Sequence, residues 1–245
     1  MSYILAIDSG NSYVKWGLFD KGRCLIHGNV SHDRVPFLQN DFKELVEPKL
    51  IIISHVARTT TKNQICEQIS IWPVKPYWIR SCSFQCGVSN SYSDPSQLGS
   101  DRWAALIYAW RIQQKACLVI NVGTAVTIDA LSESGKFLGG IILPGIQLML
   151  KSLQLGTQLI NADMTKYEDF PVNTNSAIQS GVIHSLIGAI EHMYDLLSLQ
   201  INHPVQNCII SGGGASFLIP FIKLPIKAID NLVLKGLVVI AEDYL

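Results

Sequence analysis

Ile4-Leu-Ala-Ile-Asp8-Ser-Gly10-Asn11-Ser12-Tyr-Val-Lys15 begins as an apolar run, breaks at Asp8, turns through Gly10 and Asn11, and resumes as Val14 to Phe19. That pattern predicts two short strands joined by a tight polar turn. Asp8 then ends a buried strand, where a carboxylate is costly without a partner. Gly10 allows a close backbone approach to a ligand, and turn amides can face an anion. Lys15, on the second strand, is within reach of the same anion.

The pattern returns once, in Leu118-Val-Ile-Asn121-Val-Gly123-Thr124-Ala125-Val-Thr127. Asp8 aligns with Asn121, Gly10 with Gly123, Asn11 with Thr124 and Ser12 with Ala125. Asn121 lies 113 positions after Asp8 in a chain of 245, nearly half its length. A repeat at that spacing predicts a duplicated domain, divided near 1–115 and 116–245, with a ligand held between the halves. One such turn alone is usually just a turn; two at this spacing favour a functional reading.

Apolar residues make up 48% of the chain and charged residues 16%, ample for buried cores. The formal net charge is zero, which argues against a broad nucleic-acid or anionic-membrane surface. Cys24, Cys66, Cys82, Cys86, Cys117 and Cys208 are scattered, and Cys117 and Cys208 fall in apolar runs where a reduced core thiol is expected. Neither the Cys82–Cys86 spacing nor the histidines match a zinc pattern. The first apolar run is cut by Asp8 and has no cationic lead, unlike a signal peptide. The segment Phe137 to Leu150 is too short and too broken by glycine and proline to span a bilayer. A soluble, reduced, cytoplasmic protein is expected.

In chain order, strand alternation continues to Val30 through a turn at Lys21-Gly22. Phe37 to Val46 reads as a helix and Leu50 to Ser54 as a buried strand. His55 follows at the strand's C-terminal end, where open α/β sheets place their sites, although a lone histidine is more often structural. Thr61 to Ile71 suits a helix and Val74 to Ile79 a strand. A long polar loop then runs from Cys86 to the helix that starts at Ser100, the expected N-cap. Trp103, Leu106, Ile107 and Trp110 form that helix's apolar face. Asp101 in its first turn either complements the helix dipole, the commoner use, or stands at a cleft beside Arg102. In the second half, Gly139 to Gly145 predicts a buried strand and sharp turn into a helix near Ile146–Leu155, followed by a polar loop through Pro171. Thr174 is placed to cap a helix reaching Leu199. A strand at Val205–Ser211 leads to Gly212-Gly213-Gly214, and a last helix follows Asp230-Asn231. No G-x-x-x-x-G-K-[ST] or G-x-G-x-x-G motif is present.

These hairpins and the Gly-Gly-Gly loop resemble the phosphate and adenosine motifs of the acetate and sugar kinase/Hsc70/actin superfamily. The chain more closely resembles the type III pantothenate kinase family. The matches are Asp8-Ser-Gly-Asn-Ser with Lys15, Asn90-Ser-Tyr92 through Leu98-Gly99-Ser-Asp101-Arg102, Gly123-Thr-Ala-Val-Thr-Ile-Asp129, Gly139-Gly-Ile-Ile-Leu-Pro-Gly145, Thr174 through Ala177 to Gly181, Ser211-Gly-Gly-Gly214 and Leu232-Val-Leu-Lys-Gly236. The resemblance implies an α/β fold of two ribonuclease-H-like (actin-like) domains with an ATP cleft between them, usually in a homodimer. It implies transfer of phosphate from ATP to the 4′-hydroxyl of pantothenate, the first step of coenzyme A synthesis. By position, Asp8, Ser9, Gly10, Asn11, Ser12, Tyr13, Val14 and Lys15 hold the nucleotide's phosphates, with Asp8 on the Mg²⁺ side, and Thr124 contacts the nucleotide. Tyr92, Gly99, Ser100, Asp101, Arg102 and Thr174 bind pantothenate, and Asp101 is the general base. Arg102 suits the substrate's carboxylate. The family usually has an aspartate at Asn121, linked to a monovalent cation (K⁺ or NH₄⁺). Asn keeps an oxygen but loses the charge, which predicts weakened or absent cation activation. The competing readings are another small-molecule kinase of the superfamily, against which the Tyr92–Arg102 match speaks, and a nucleotide-binding regulator that has lost catalysis, against which Asp8 and Asp101 speak.

Overall fold

The structure is a computed structural model that describes residues 3–156 and 167–244; most of the polar loop expected before Pro171 lies outside the described residues. β1 (Tyr3–Ser9) and β2 (Tyr13–Asp20) are antiparallel, with Asp8 opposite Lys15. Ile4 to Ile7 are buried on both faces, as a central strand requires. β3 (Arg23–Ser31) follows a turn in which Lys21 and Gly22 both have positive φ, 47° and 74°, the twist that matches a tight hairpin. A 3₁₀ turn (His32–Phe37) leads into α1 (Leu38–Phe42). The helix expected to reach Val46 stops early: Val35, Leu38 and Phe42 are buried, Leu45 packs on the core from a turn, and Val46 is exposed.

β4 (Leu50–His55) lies parallel to β1, which sets Ser54 beside Asp8 and His55 beside Ser9. α2 (Thr59–Ile69) and β5 (Pro76–Trp78) complete a sheet ordered β3-β2-β1-β4-β5. The segment expected to be loop contains a small hairpin, β6 (Phe84–Gln85) and β7 (Val88–Asn90), turned by Cys86 and Gly87 at φ 49° and 82°. α3 (Ser100–Gln113) follows. Its burial is broader than the expected stripe. Ala104, Ala105 and Ala109 are buried along with Trp103, Leu106 and Ile107, whereas Trp110 is only partly so.

β8 (Cys117–Val122), β9 (Ala125–Leu131), β10 (Lys136–Pro144), α4 (Ile146–Gly156), α5 (Thr174–Ile201), β11 (Asn207–Ser211), α6 (Ala215–Leu218), β12 (Ile226–Ala228) and α7 (Leu232–Tyr244) complete the chain. The order β12-β11-β8-β9-β10 repeats that of the first sheet. In each, the first strand has an antiparallel neighbour on one side and a parallel strand on the other. β10 is not the buried strand expected; β7 and β6 continue the order beyond it, but β7 pairs only with Lys136 and Phe137, and Ile142 further along is 62% exposed.

By contacts the chain forms two compact units, one of residues 1–114, 135–137 and 231–245, the other of 115–134 and 138–230. Each has its own core. Leu5, Ile7, Trp16, Phe42 and Ile53 centre the first, and Leu118, Ile120, Ile128, Leu186 and Ile210 the second. α7 belongs to the first unit, where it packs on α3, β1 and β4. The described helices include none long and apolar enough to cross a membrane.

Candidate active site

In the first unit the strand register gathers most of the expected residues. Asp8 Oδ1 is buried with no hydrogen-bond partner. Burial, reinforced by the charge of Asp101 and partly offset by Lys15, pushes the Asp8 carboxyl up from its ordinary 3.8 to about 7. Asp101 Oδ1 accepts from the Arg102 backbone N–H at 2.8 Å. Burial raises its pKa as well, against that hydrogen bond and the Arg102 charge. The charge of Asp101 therefore reaches Asp8, and burial raises both carboxyls.

The raised Asp8 sets a pH dependence for the ligand-free protein. Below about pH 4 the carboxyl is protonated in folded and unfolded chains alike. Between about 4 and 7 the unfolded chain ionises while the folded one holds its proton, so stability falls as pH rises. Asp8→Asn, which carries no such penalty, is expected to match the parent near pH 4. Near pH 8 it should be more stable by on the order of 4 kcal/mol. Urea unfolding at the two pH values checks this, and equal differences at both would refute it.

Ser100 is not the N-cap of α3; Gly99 is. The Ser100 hydroxyl instead lies 2.9 Å from Ser54 Oγ and accepts from the His55 N–H at 3.2 Å, stitching the helix start to β4. A β-carbon on Gly99 would fall 2.6 Å from Asp101 Oδ1, so this position must stay bare for the carboxylate to sit where it does. His55 Nδ1 is 2.9 Å from Ser9 Oγ, and burial and Lys62 hold its pKa below the usual value. An open pocket of about 360 Å³ is walled by His55, Val56, Arg80, Ser81, Gly99 and Ser100. Arg102 and Tyr92 meet as well: Arg102 Nη1 donates to Tyr92 Oη at 3.2 Å, and both lie against the Phe137 ring. The sequence reading missed Ser54 and His32. Ser54 matters through its register beside Asp8, and His32 through a hydrogen bond to the Gly10 carbonyl. Neither carries a local motif.

In the second unit Asn121 holds the place of Asp8, one residue before the strand's end and beside Ser211 as Asp8 is beside Ser54. The turns differ by one residue. Gly10 N–H reaches Tyr13 O, whereas Gly123 N–H reaches Ala125 O. Ser12 thus has no counterpart, and the residue-by-residue alignment holds only as far as the glycines. Thr124 is exposed in the shorter turn, and its carbonyl accepts from the Gly145 N–H at 2.8 Å. Asp129 pairs with Val119, two positions away from the Asn121–Thr127 pair, and does not take the place of the missing charge. Thr174 is exposed and is the first residue of α5, not its cap; Asn173 caps, accepting from Ser176 N–H at 2.9 Å.

The family model for type III pantothenate kinases matches residues 4–196. A type III pantothenate kinase of Nitrosospira multiformis is 45% identical over 98% of this chain and 91% of its own length. One of Nitrosomonas eutropha is 42% identical over 99% and 95%. Among solved structures, an inorganic polyphosphate/ATP-glucomannokinase from an Arthrobacter strain aligns over 99% of this chain and all of its own, at 13% identity and a TM-score of 0.51, a likeness of fold. Doubled sheet order, paired hairpin turns and full-length similarity agree: the chain belongs to the type III pantothenate kinase family, on the actin-like α/β fold.

Proposed function

We propose that this protein phosphorylates the 4′-hydroxyl of pantothenate with ATP, opening coenzyme A synthesis, and that residues 8–15 receive the triphosphate while Asp101 accepts the hydroxyl proton. Family membership supports the reaction. The observation that supports the assignment of roles is the electrostatic coupling of Asp8 to Asp101. Phosphoryl transfer needs positioning and charge neutralisation more than covalent help. The unpartnered Asp8 Oδ1 suits a hard divalent cation. Among the described residues no cluster of three or more metal-ligating side chains exists, so Mg²⁺ would be held by Asp8 together with phosphate oxygens, where it would neutralise developing charge. Lys15 adds a fixed cation. Asp101, its pKa raised by burial, is a stronger base than a solvated aspartate. Arg102 and Tyr92 form a donor pair suited to the carboxylate of pantothenate. The protein acts in the cytoplasm, as a homodimer.

An ADP-release assay offering pantothenate beside sugars and short hydroxy acids tests this. Turnover with pantothenate alone is expected, and preference for a sugar would overturn the assignment. Asn121 carries no charge to hold a monovalent cation. KCl from zero to saturating levels is therefore expected to change the rate less than about twofold, and Asn121→Asp to introduce a saturable requirement. A strong KCl requirement in the parent would refute this.

A further inference from the structure

We propose that His32 is a positioning residue of the phosphate turn, fixing the Gly10–Asn11 peptide so that the Asn11 N–H is presented to the nucleotide's phosphates. The inference rests on the assignment of residues 8–15 as the phosphate hairpin. His32 Nε2 lies 3.0 Å from the Gly10 carbonyl oxygen, and Nδ1 lies 2.9 Å from Thr61 Oγ1. A carbonyl only accepts, so Nε2 carries the proton and donates; Nδ1 then accepts from the Thr61 hydroxyl. Thr61 is buried on α2, and His32 is half-buried at the start of the 3₁₀ turn, so the ring is held from both ends.

The consequence follows from peptide geometry. The carbonyl and N–H of one trans peptide point in opposite directions. Fixing the Gly10 carbonyl on His32 aims the Asn11 N–H the opposite way. The Gly10 N–H is already committed to Tyr13 O at 3.1 Å, which closes the turn on its other side. Without His32 the Gly10–Asn11 peptide is free to rotate, and half of that rotation brings a carbonyl's negative end round to where an anion would sit. The imidazole thus selects the turn's electropositive orientation. A role confined to stapling the 3₁₀ turn onto α2 would weaken folding and would not discriminate between ligands with and without phosphate.

That difference is the test. Calorimetry compares ADP, ATP and adenosine on the parent, His32→Leu, His32→Gln and Thr61→Val. His32→Leu is expected to weaken ADP and ATP by about tenfold, the worth of one well-placed hydrogen bond at an anion site, and adenosine by less than twofold. His32→Gln, whose amide N–H₂ can reach the same carbonyl, should recover most of the affinity. Thr61→Val, which frees Nδ1, should weaken ADP about threefold and spare adenosine; it carries the test if His32→Leu fails to fold. Equal losses for ADP and adenosine, or undiminished ADP binding, would overturn the proposal. A parent that binds no nucleotide would instead overturn the assignment of the hairpin.

Discussion

Asp101→Asn is expected to lower turnover by about a thousandfold while leaving ATP affinity within a factor of two. General-base catalysis contributes roughly 10²–10⁴ in rate, and the amide keeps the shape and the oxygen that accepts from Arg102 N–H while losing basicity. The nucleotide side should respond in a definite direction. Asp101 is a cause of the raised Asp8 pKa, so its neutralisation lets Asp8 ionise more readily and should hold or improve Mg²⁺–ATP binding. Single-turnover rates and nucleotide titrations separate the two effects. Loss of ATP binding alongside turnover would show that Asp101 supports the phosphate hairpin and is not the base.

The second large effect concerns stability. Gly236 sits in α7 where a β-carbon would fall 1.9 Å from the Ala104 carbonyl oxygen and 2.5 Å from its carbon. The obstacle is α3 backbone, which cannot rotate away as a side chain could. Overpacking commonly costs about 1–3 kcal/mol, and a rigid neighbour puts Gly236→Ala at or above the upper figure. Tm is expected to fall by roughly 6–12 °C, given about 2–4 °C per kcal/mol at this size. Gly188→Ala supplies the contrast. That glycine lies inside α5 with nothing within 4 Å of an added β-carbon, so the better helix former should raise stability by up to about 1 kcal/mol. Similar melting shifts in both variants would mean that α3 and α7 do not approach as closely as described.

The parts of the fold carried by local pattern were legible. The two hairpins announce themselves by an apolar run, a polar break and a glycine, and both sheets grow from them. Pairings between distant residues were not legible. Ser54 looks like any buried serine until β4 lies parallel to β1. Ser100 resembles a cap by residue type, yet it follows the capping position and spends its hydroxyl on β4. Thr174 lost the cap to its neighbour Asn173, whose side chain also suits the role. The hairpin β6–β7 depends on positive φ at Cys86, a residue that gives no such warning. At the site, residue types pointed to Asp8 and Asp101 separately; the influence of Asp101 on the protonation of Asp8 needed the structure.

α7 has a consequence for how the protein is made. It completes the first unit by packing on β1, β4 and α3, yet its residues leave the ribosome only after the whole second unit has been synthesised. The half of the protein that emerges first must therefore wait, its Ala104 surface uncovered and open to chaperones, until translation reaches residues 232–244. Nascent chains stalled before that point should be protease-sensitive in the half that was born earlier.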